Sequence, residues 1–315
     1  MGLVIGMDEA GYGPNLGPLV ITATAWEVPC HPHQFDFWSS LQDVVSQSRN
    51  SGESKLHVAD SKEVYSPSRG LSILEKSTLC LLGLVDWKPR SLLDLWSRLT
   101  CDQTSPWECE PWFQEADVTL PVAAERDAIA SAAESLQACC SDQNLRLRAV
   151  RSEIVLTERF NRLTSQFDSK GVALSRLSCG LLRQLWNPED DESTLIVADK
   201  HGGRNRYDGF LAEVVDDQFI FRIQEGREQS EYKVGNSTIR FQTRAESHFP
   251  VAVASLISKY VRELTMQLFN EFWLRHVPNL NPTKGYPVDA LRFRDDVATV
   301  RKQLQISDDC FWRQR

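Results

Sequence analysis

No C-x-x-C pair occurs among the eight cysteines, at positions 30, 80, 101, 109, 139, 140, 179 and 310. Neither a zinc ribbon nor a thioredoxin-like site is therefore signalled, and reduced thiols are expected. Runs of about 18 apolar residues are also missing, as is the basic-then-apolar start of a secretory signal. The expectation is a cytoplasmic protein with no membrane partner. Positive charge is not in excess either: the net charge is −8. That balance excludes a protein that coats nucleic acid non-specifically, because phosphate binding is driven by Lys and Arg releasing counterions. Internal repeats and low-complexity tracts are absent, while a chain of 315 residues that is 42% hydrophobic can bury a full core.

What is present reads as alternating strands and helices. Residues 3 to 8 and 18 to 27 are predicted antiparallel strands joined by a glycine-rich stretch. An apolar helical pattern covers 71 to 85 after the turn residues Ser66-Pro67-Ser68. Trp87, Trp96, Trp107 and Trp112 then stand among acids and prolines, which reads as a lid or insertion. Tryptophan faces can stack on unpaired bases. The neighbouring Glu108, Glu110, Glu115 and Asp117 would repel phosphates, which favours a local hydrophobic cluster instead. Helices are expected at 122 to 141 and 172 to 186, and strands at 146 to 156 and 194 to 199. The segment 219 to 246 suggests a hairpin with Gly235-Asn236 near its turn. From about Pro250 a long helix carries Ala254, Ile257, Val261, Leu264, Leu268 and Phe272 at steps of three and four, the stripe of an amphipathic helix packed on a sheet.

Acids stand where these elements end: Asp8 and Glu9 after the first strand, Asp199 after TLIVA, and Glu246 before the long helix. Strand ends are where α/β proteins build sites. Carboxylates that converge repel one another unless some stay protonated or a cation neutralises them. Hard divalent ions with oxygen ligands answer that need, Mg²⁺ through a few carboxylates, waters and a substrate phosphate. Two such ions can drive phosphodiester hydrolysis. Each acid taken alone could equally be a turn residue, a cap or a surface charge. Asp8 resists that reading, because it ends an apolar run and precedes glycines that permit close approach to the backbone.

The stretch GMDEAGYGPNLGPLV resembles the type 2 ribonuclease H signature G-x-D-E-A-G-R-G-P-x-x-G-P-x-V. Further segments follow in the family's order: Asp60-Ser61-Lys62, RSEIVLTERFNRL, VAD at 197 to 199, AESHFPVAVASLISKYVRE, and TKGYP at 283 to 287. The likeness spans the chain apart from about 88 to 145. It implies an α/β, ribonuclease H-like mixed sheet flanked by helices with a helical C-terminal part. A single catalytic domain over 1–315 is expected, with a helical, Trp-rich insertion at about 88–145. The implied activity is metal-dependent endonucleolytic cleavage of RNA in RNA–DNA hybrids, or at ribonucleotides embedded in duplex DNA, by a monomer using Mg²⁺ or Mn²⁺. Carried over by position, Asp8, Glu9, Asp199 and Glu246 would hold metal. Gly11 and Gly13 would bring backbone to the ribose 2′-hydroxyl, which tells RNA from DNA, and Tyr286 would stack on a nucleotide beside the cut. Lys62 is open to two readings, a phosphate contact or a solvated surface residue.

Departures from the family bear on function. Tyr12 stands where the family has Arg, so a fixed cation is replaced by a hydroxyl and a stacking face. Glu246 stands for Asp, as in the related type 3 enzymes. After Asp199 the run KHGGRNRY adds Lys200, His201, Arg204 and Arg206, cations that could replace the phosphate grip lost at position 12. His201 reads either as a proton carrier or as a solvated loop residue. Two other functions fit the same resemblance: a nucleic-acid-binding protein with little cleavage, and a nuclease acting on DNA junctions.

Overall fold

The computed structural model describes residues 1–48, 55–100, 110–114 and 116–314. Cys101, Trp107, Glu108, Cys109 and Glu115 lie outside the described residues. Nine strands are described: β1 (Gly2–Ala10), β2 (Leu19–Val28), β3 (Val45–Ser46), β4 (Leu56–His57), β5 (Arg146–Val155), β6 (Thr194–Asp199), β7 (Ile220–Glu225), β8 (Gln229–Val234) and β9 (Ser237–Gln242). The helices are α1 (Phe37–Ser40), α2 (Ser61–Val64), α3 (Ser72–Gly83), α4 (Leu92–Leu99), α5 (Arg126–Asp142), α6 (Thr157–Phe167), α7 (Lys170–Arg183), α8 (Asp208–Ala212), α9 (Phe249–His276), α10 (Pro287–Gln303) and α11 (Asp308–Phe311).

Seven strands form one mixed sheet in the order β5-β2-β1-β6-β9-β8-β7. The centre is parallel, with β6 between β1 and β9, and the flanks are antiparallel. Period-2 alternation splits the side chains of β1 between two cores. Val4 packs into the core with α9, α3 and α5, whereas Leu3, Ile5 and Met7 pack under α7 and α8. The strands expected at 3 to 8, 18 to 27, 146 to 156 and 194 to 199 are β1, β2, β5 and β6, and the first two are antiparallel. Where one hairpin was expected there are three strands. Gly235-Asn236 turns β8 into β9, and a second turn adds β7 at the sheet edge.

The long helix differs from its sequence pattern. α9 is buried on almost every side from Phe249 to Trp273, because the sheet covers one face and other helices cover the rest. Buried polar residues on it find partners within the core: the Ser258 hydroxyl donates to Asp8 O at 3.2 Å and bonds Thr22 Oγ1 at 2.8 Å. Gly6 lets its first turn lie directly on β1, since a Cβ there would sit 2.2 Å from the carbonyl carbon of Pro250 and 2.3 Å from the Val251 nitrogen.

Two of the tryptophans, Trp96 and Trp112, are buried and present no face for bases. Trp112 packs edge-on against Phe269 at 4.9 Å and beside Trp273, and Trp96 meets Phe113 at 5.9 Å. Both join the same core as α9. Glu110 is buried beneath them and accepts from Trp112 Nε1 and Thr157 N, at 2.7 and 2.9 Å.

Candidate metal centre

Register places the acids. β1 and β6 run parallel with Met7 opposite Ala198, so the next residue of each strand, Asp8 and Asp199, ends up side by side at the carboxyl ends. Asp199 is in turn level with Gln242 of β9. A short 3₁₀ turn, Ala245–Ser247, then carries Glu246 back across these ends before α9 begins. One carboxylate oxygen from each of Asp8, Asp199 and Glu246 lies within 4.8 Å of the others. Glu9 is not part of this trio, because alternation points it to the opposite face of β1 from Asp8. Its charge is still felt by Asp8 and by the phenols of Tyr12 and Tyr207.

The electrostatics are those of crowded acids. Burial pushes the Asp8 carboxyl well above the usual carboxylate range, and Glu9 and Glu246 push it further, against a hydrogen bond from Ser255. Burial, then Asp199 and Glu246, raise Glu9 to about 7. Asp199 and Glu246 are raised too, chiefly by burial. Lys62 stands exposed at the rim; burial acts against its charge, but Asp60, Glu246, Asp8 and Asp199 together hold its pKa up. Three clustered carboxylate oxygens whose charges repel are a donor set suited to a hard divalent cation.

The glycine-rich loop beside the acids is held from below. Gly11 takes φ +92, a conformation that glycine adopts freely. Arg313 is buried, stacks 3.8 Å over Phe160, and donates from Nη1 to Gly11 O and from Nη2 to Tyr12 O at 3.5 Å. Arg262 is buried likewise and donates to Leu16 O and Lys284 O at 3.2 and 2.9 Å. Gly13 is exposed with open space around it. The loop carrying Tyr286 docks here through Asn15 N donating to Gly285 O at 2.8 Å, which leaves the Tyr286 ring half exposed.

Two expectations from the KHGGRNRY run need correction. Lys200 is buried, and its ammonium donates to Arg204 O at 3.0 Å, Asn205 Oδ1 at 2.8 Å and Gly226 O. All three N–H donors are thus spent tying the loop to the β7–β8 turn, and none remains for a phosphate. His201 is neither solvated nor a proton carrier: it is buried against Tyr207 and Phe241, and burial lowers it to about 3. Arg204 and Arg206 do reach an open surface, joined by Lys170 of α7, which the sequence reading passed over. Arg262 and Arg313 were missed as well, because no local spacing signals a residue that grips a loop hundreds of positions away.

Among solved structures, the chain superimposes on a ribonuclease H2 from Pyrococcus horikoshii with a TM-score of 0.50 and 16% identity, covering 98% of this chain and 92% of that one. The fold is ribonuclease H-like. Weaker superpositions are found with the Archaeoglobus fulgidus PCNA:RNase HII complex (TM-score 0.44, 14% identity, 99% and 94% covered) and with Aquifex aeolicus RNase H3 (0.38, 14%, 98% and 70%). No protein-family model and no curated protein matches the sequence. Among the described residues, no helix is long and apolar enough to cross a membrane.

Proposed function

We propose that this chain is a divalent-metal-dependent endoribonuclease, working as a single catalytic domain on RNA–DNA hybrids or on ribonucleotides embedded in duplex DNA. The convergence of Asp8, Asp199 and Glu246 on one side of the strand ends carries the proposal. These three would hold Mg²⁺ or Mn²⁺, and the charge of Glu9, on which Asp199 and Glu246 both act, would add to the attraction for the cation. Bound divalent ions would supply an activated water and charge relief at the leaving oxygen.

The chain's own groups do the rest. Arg313 and Arg262 turn carbonyls of the 11–17 loop toward the interior. In a trans peptide the following N–H points the opposite way, so Tyr12 N–H and Gly13 N–H are directed outward, where a ribose 2′-hydroxyl could accept. Tyr286 offers an exposed ring for stacking on a sugar or base, and Lys62 offers a cation to the scissile phosphate.

The test is a labelled duplex carrying one ribonucleotide, incubated with the protein and with Asp8→Asn in Mg²⁺, Mn²⁺ or chelator. Cutting beside the ribonucleotide that requires both metal and Asp8 supports the reading. Tight binding without cutting would replace it with a binding role, a reading that the uncharged Tyr12 favours; cutting of all-DNA branched substrates would replace it with a junction nuclease.

A further inference from the structure

An open cleft of about 670 Å³ is lined in part by residues 201–206, which follow closely on Asp199. It is lined by the loop that leaves Asp199, by Tyr12 and by the first turn of α7 with Lys170, which packs against the Tyr12 ring. Three cations line it, Lys170, Arg204 and Arg206, and no carboxylate does. That composition stands out in a chain with a net charge of −8. His201 also lines the cleft but is buried and adds no charge.

The cations are held rather than waving in solvent. The Lys170 ammonium sits 4.7 Å over the Tyr12 ring, and the Arg204 guanidinium lies 4.5 Å over Phe210. Arg204 Nε is shielded from solvent and has no hydrogen-bond partner among the described residues. Arg206 is largely exposed, its nearest acid being Glu225 at 3.6 Å. Gly202 and Gly203 have open space where a Cβ would be, so a ligand can approach the backbone between them. The positive end of α7 adds a further attraction for an anion, with Ser169 already capping Val172 N.

A polyanion that enters the acid cluster meets repulsion there and must be held by cations elsewhere. Beyond Lys62 at the rim, the cleft offers such a surface, and Tyr12 connects the two: it belongs to the glycine loop and lines the cleft, and both Glu9 and Arg204 act on its phenol. We propose that this cleft binds a second phosphodiester of the nucleic-acid strand whose neighbouring phosphate lies at the acid cluster. The assignment rests on the nuclease reading above. It replaces the cation expected from Lys200 with Lys170, on a different element.

The experiment measures binding in chelator, so it does not require cleavage. A labelled ribonucleotide-containing duplex is titrated by fluorescence anisotropy with the wild type, with Lys170→Gln/Arg204→Gln, and with the remote control Arg148→Gln, whose partners are Glu27 and Glu192. The double variant should bind about 10-fold more weakly at moderate salt, and its log K against log salt slope should be shallower by about 1, the loss of one phosphate contact. Arg148→Gln should match the wild type. Single neutral methylphosphonates are then walked along the strand. The wild type should lose affinity at a position other than the scissile phosphate, and the double variant should be indifferent there. An unchanged affinity and salt slope, or the same methylphosphonate profile in both proteins, overturns the proposal. Millimolar inorganic phosphate that saturates the wild-type cleft without displacing the duplex also overturns it, in favour of a free-anion site. Thermal unfolding of the variants separates misfolding from lost contact. Absent cleavage with the positional profile intact would sink the nuclease reading alone; cleavage without the profile would sink the cleft alone.

Discussion

Asp8 shows what a buried acid costs and what it supplies. Its carboxyl is raised by burial and by its acidic neighbours, so ionising it in the metal-free protein works against folding. Asp8→Asn is therefore expected to stabilise the metal-free protein by about 1 kcal/mol while abolishing cleavage, read as a higher Tm in chelator beside a null activity assay. The sign with pH follows from the same shifts. A carboxyl raised in the folded state binds its proton more tightly there than in the unfolded chain. Its stabilisation is thus present at low pH and fades as pH climbs through the folded value, which for both Glu9 and Glu110 is about 7. Metal-free protein should lose stability between roughly pH 5 and 8, and divalent binding, followed by calorimetry, should strengthen over the same window because protons and metal compete for the same oxygens. At this scale the sequence was informative about acids and poor about bases. Asp8, Asp199 and Glu246 were legible because each closes or follows a strand. Lys200 and His201 were not, because nothing in KHGGRNRY says that the loop folds inward onto Gly226, Tyr207 and Phe241.

Among the elements, the contact between β1 and α9 decides whether Asp8 and Glu246 meet. Gly6 is its narrowest point, with backbone against backbone. Gly6→Ala should push α9 outward and cost about 3 kcal/mol, the upper end for core overpacking, seen as a large fall in Tm together with loss of cleavage. Strand periodicity made β1, β2, β5 and β6 readable, and helical periodicity did the same for α3, α5 and α7. The third strand β7 was merged into a hairpin, since its outward residues Phe221 and Ile223, with Phe219 just before it, are exposed apolar groups that blur the inside-outside pattern. α9 shows the stripe expected of it and much more, because an element covered on both sides needs no polar face. The register that sets Asp8 beside Asp199 is carried by pairing between strands nearly two hundred residues apart, which no local pattern encodes.

For the molecule as a whole, divalent ions should act as a ligand of the folded state. Adding Mg²⁺ well above its dissociation constant should stabilise the wild type by an amount that grows with concentration, about 2.7 kcal/mol at a hundredfold excess, read as a rising Tm, and the rise should vanish in Asp8→Asn. The aromatic cluster around Trp112 ties residues 110–114 into the core of α9, so that the segment read as a lid or insertion shares packing with the sheet that bears the acids. Glu110 extends the link, since it caps Thr157 at the start of α6, whose Phe160 lies under Arg313.

Arg313 also joins the two ends of the chain: its own N–H donates to Asn15 O, and Asn15 Nδ2 donates back to Arg313 O, across 298 residues. Replacing it with Lys, which keeps a charge but loses the planar fork, should loosen the Gly11–Gly17 loop and weaken discrimination between ribo- and deoxyribonucleotide substrates more than it lowers Tm. Seen in time, the arrangement sets an order on biosynthesis. The 11–17 loop leaves the ribosome well before its brace, so every nascent polypeptide stays without a finished loop until residue 313 emerges.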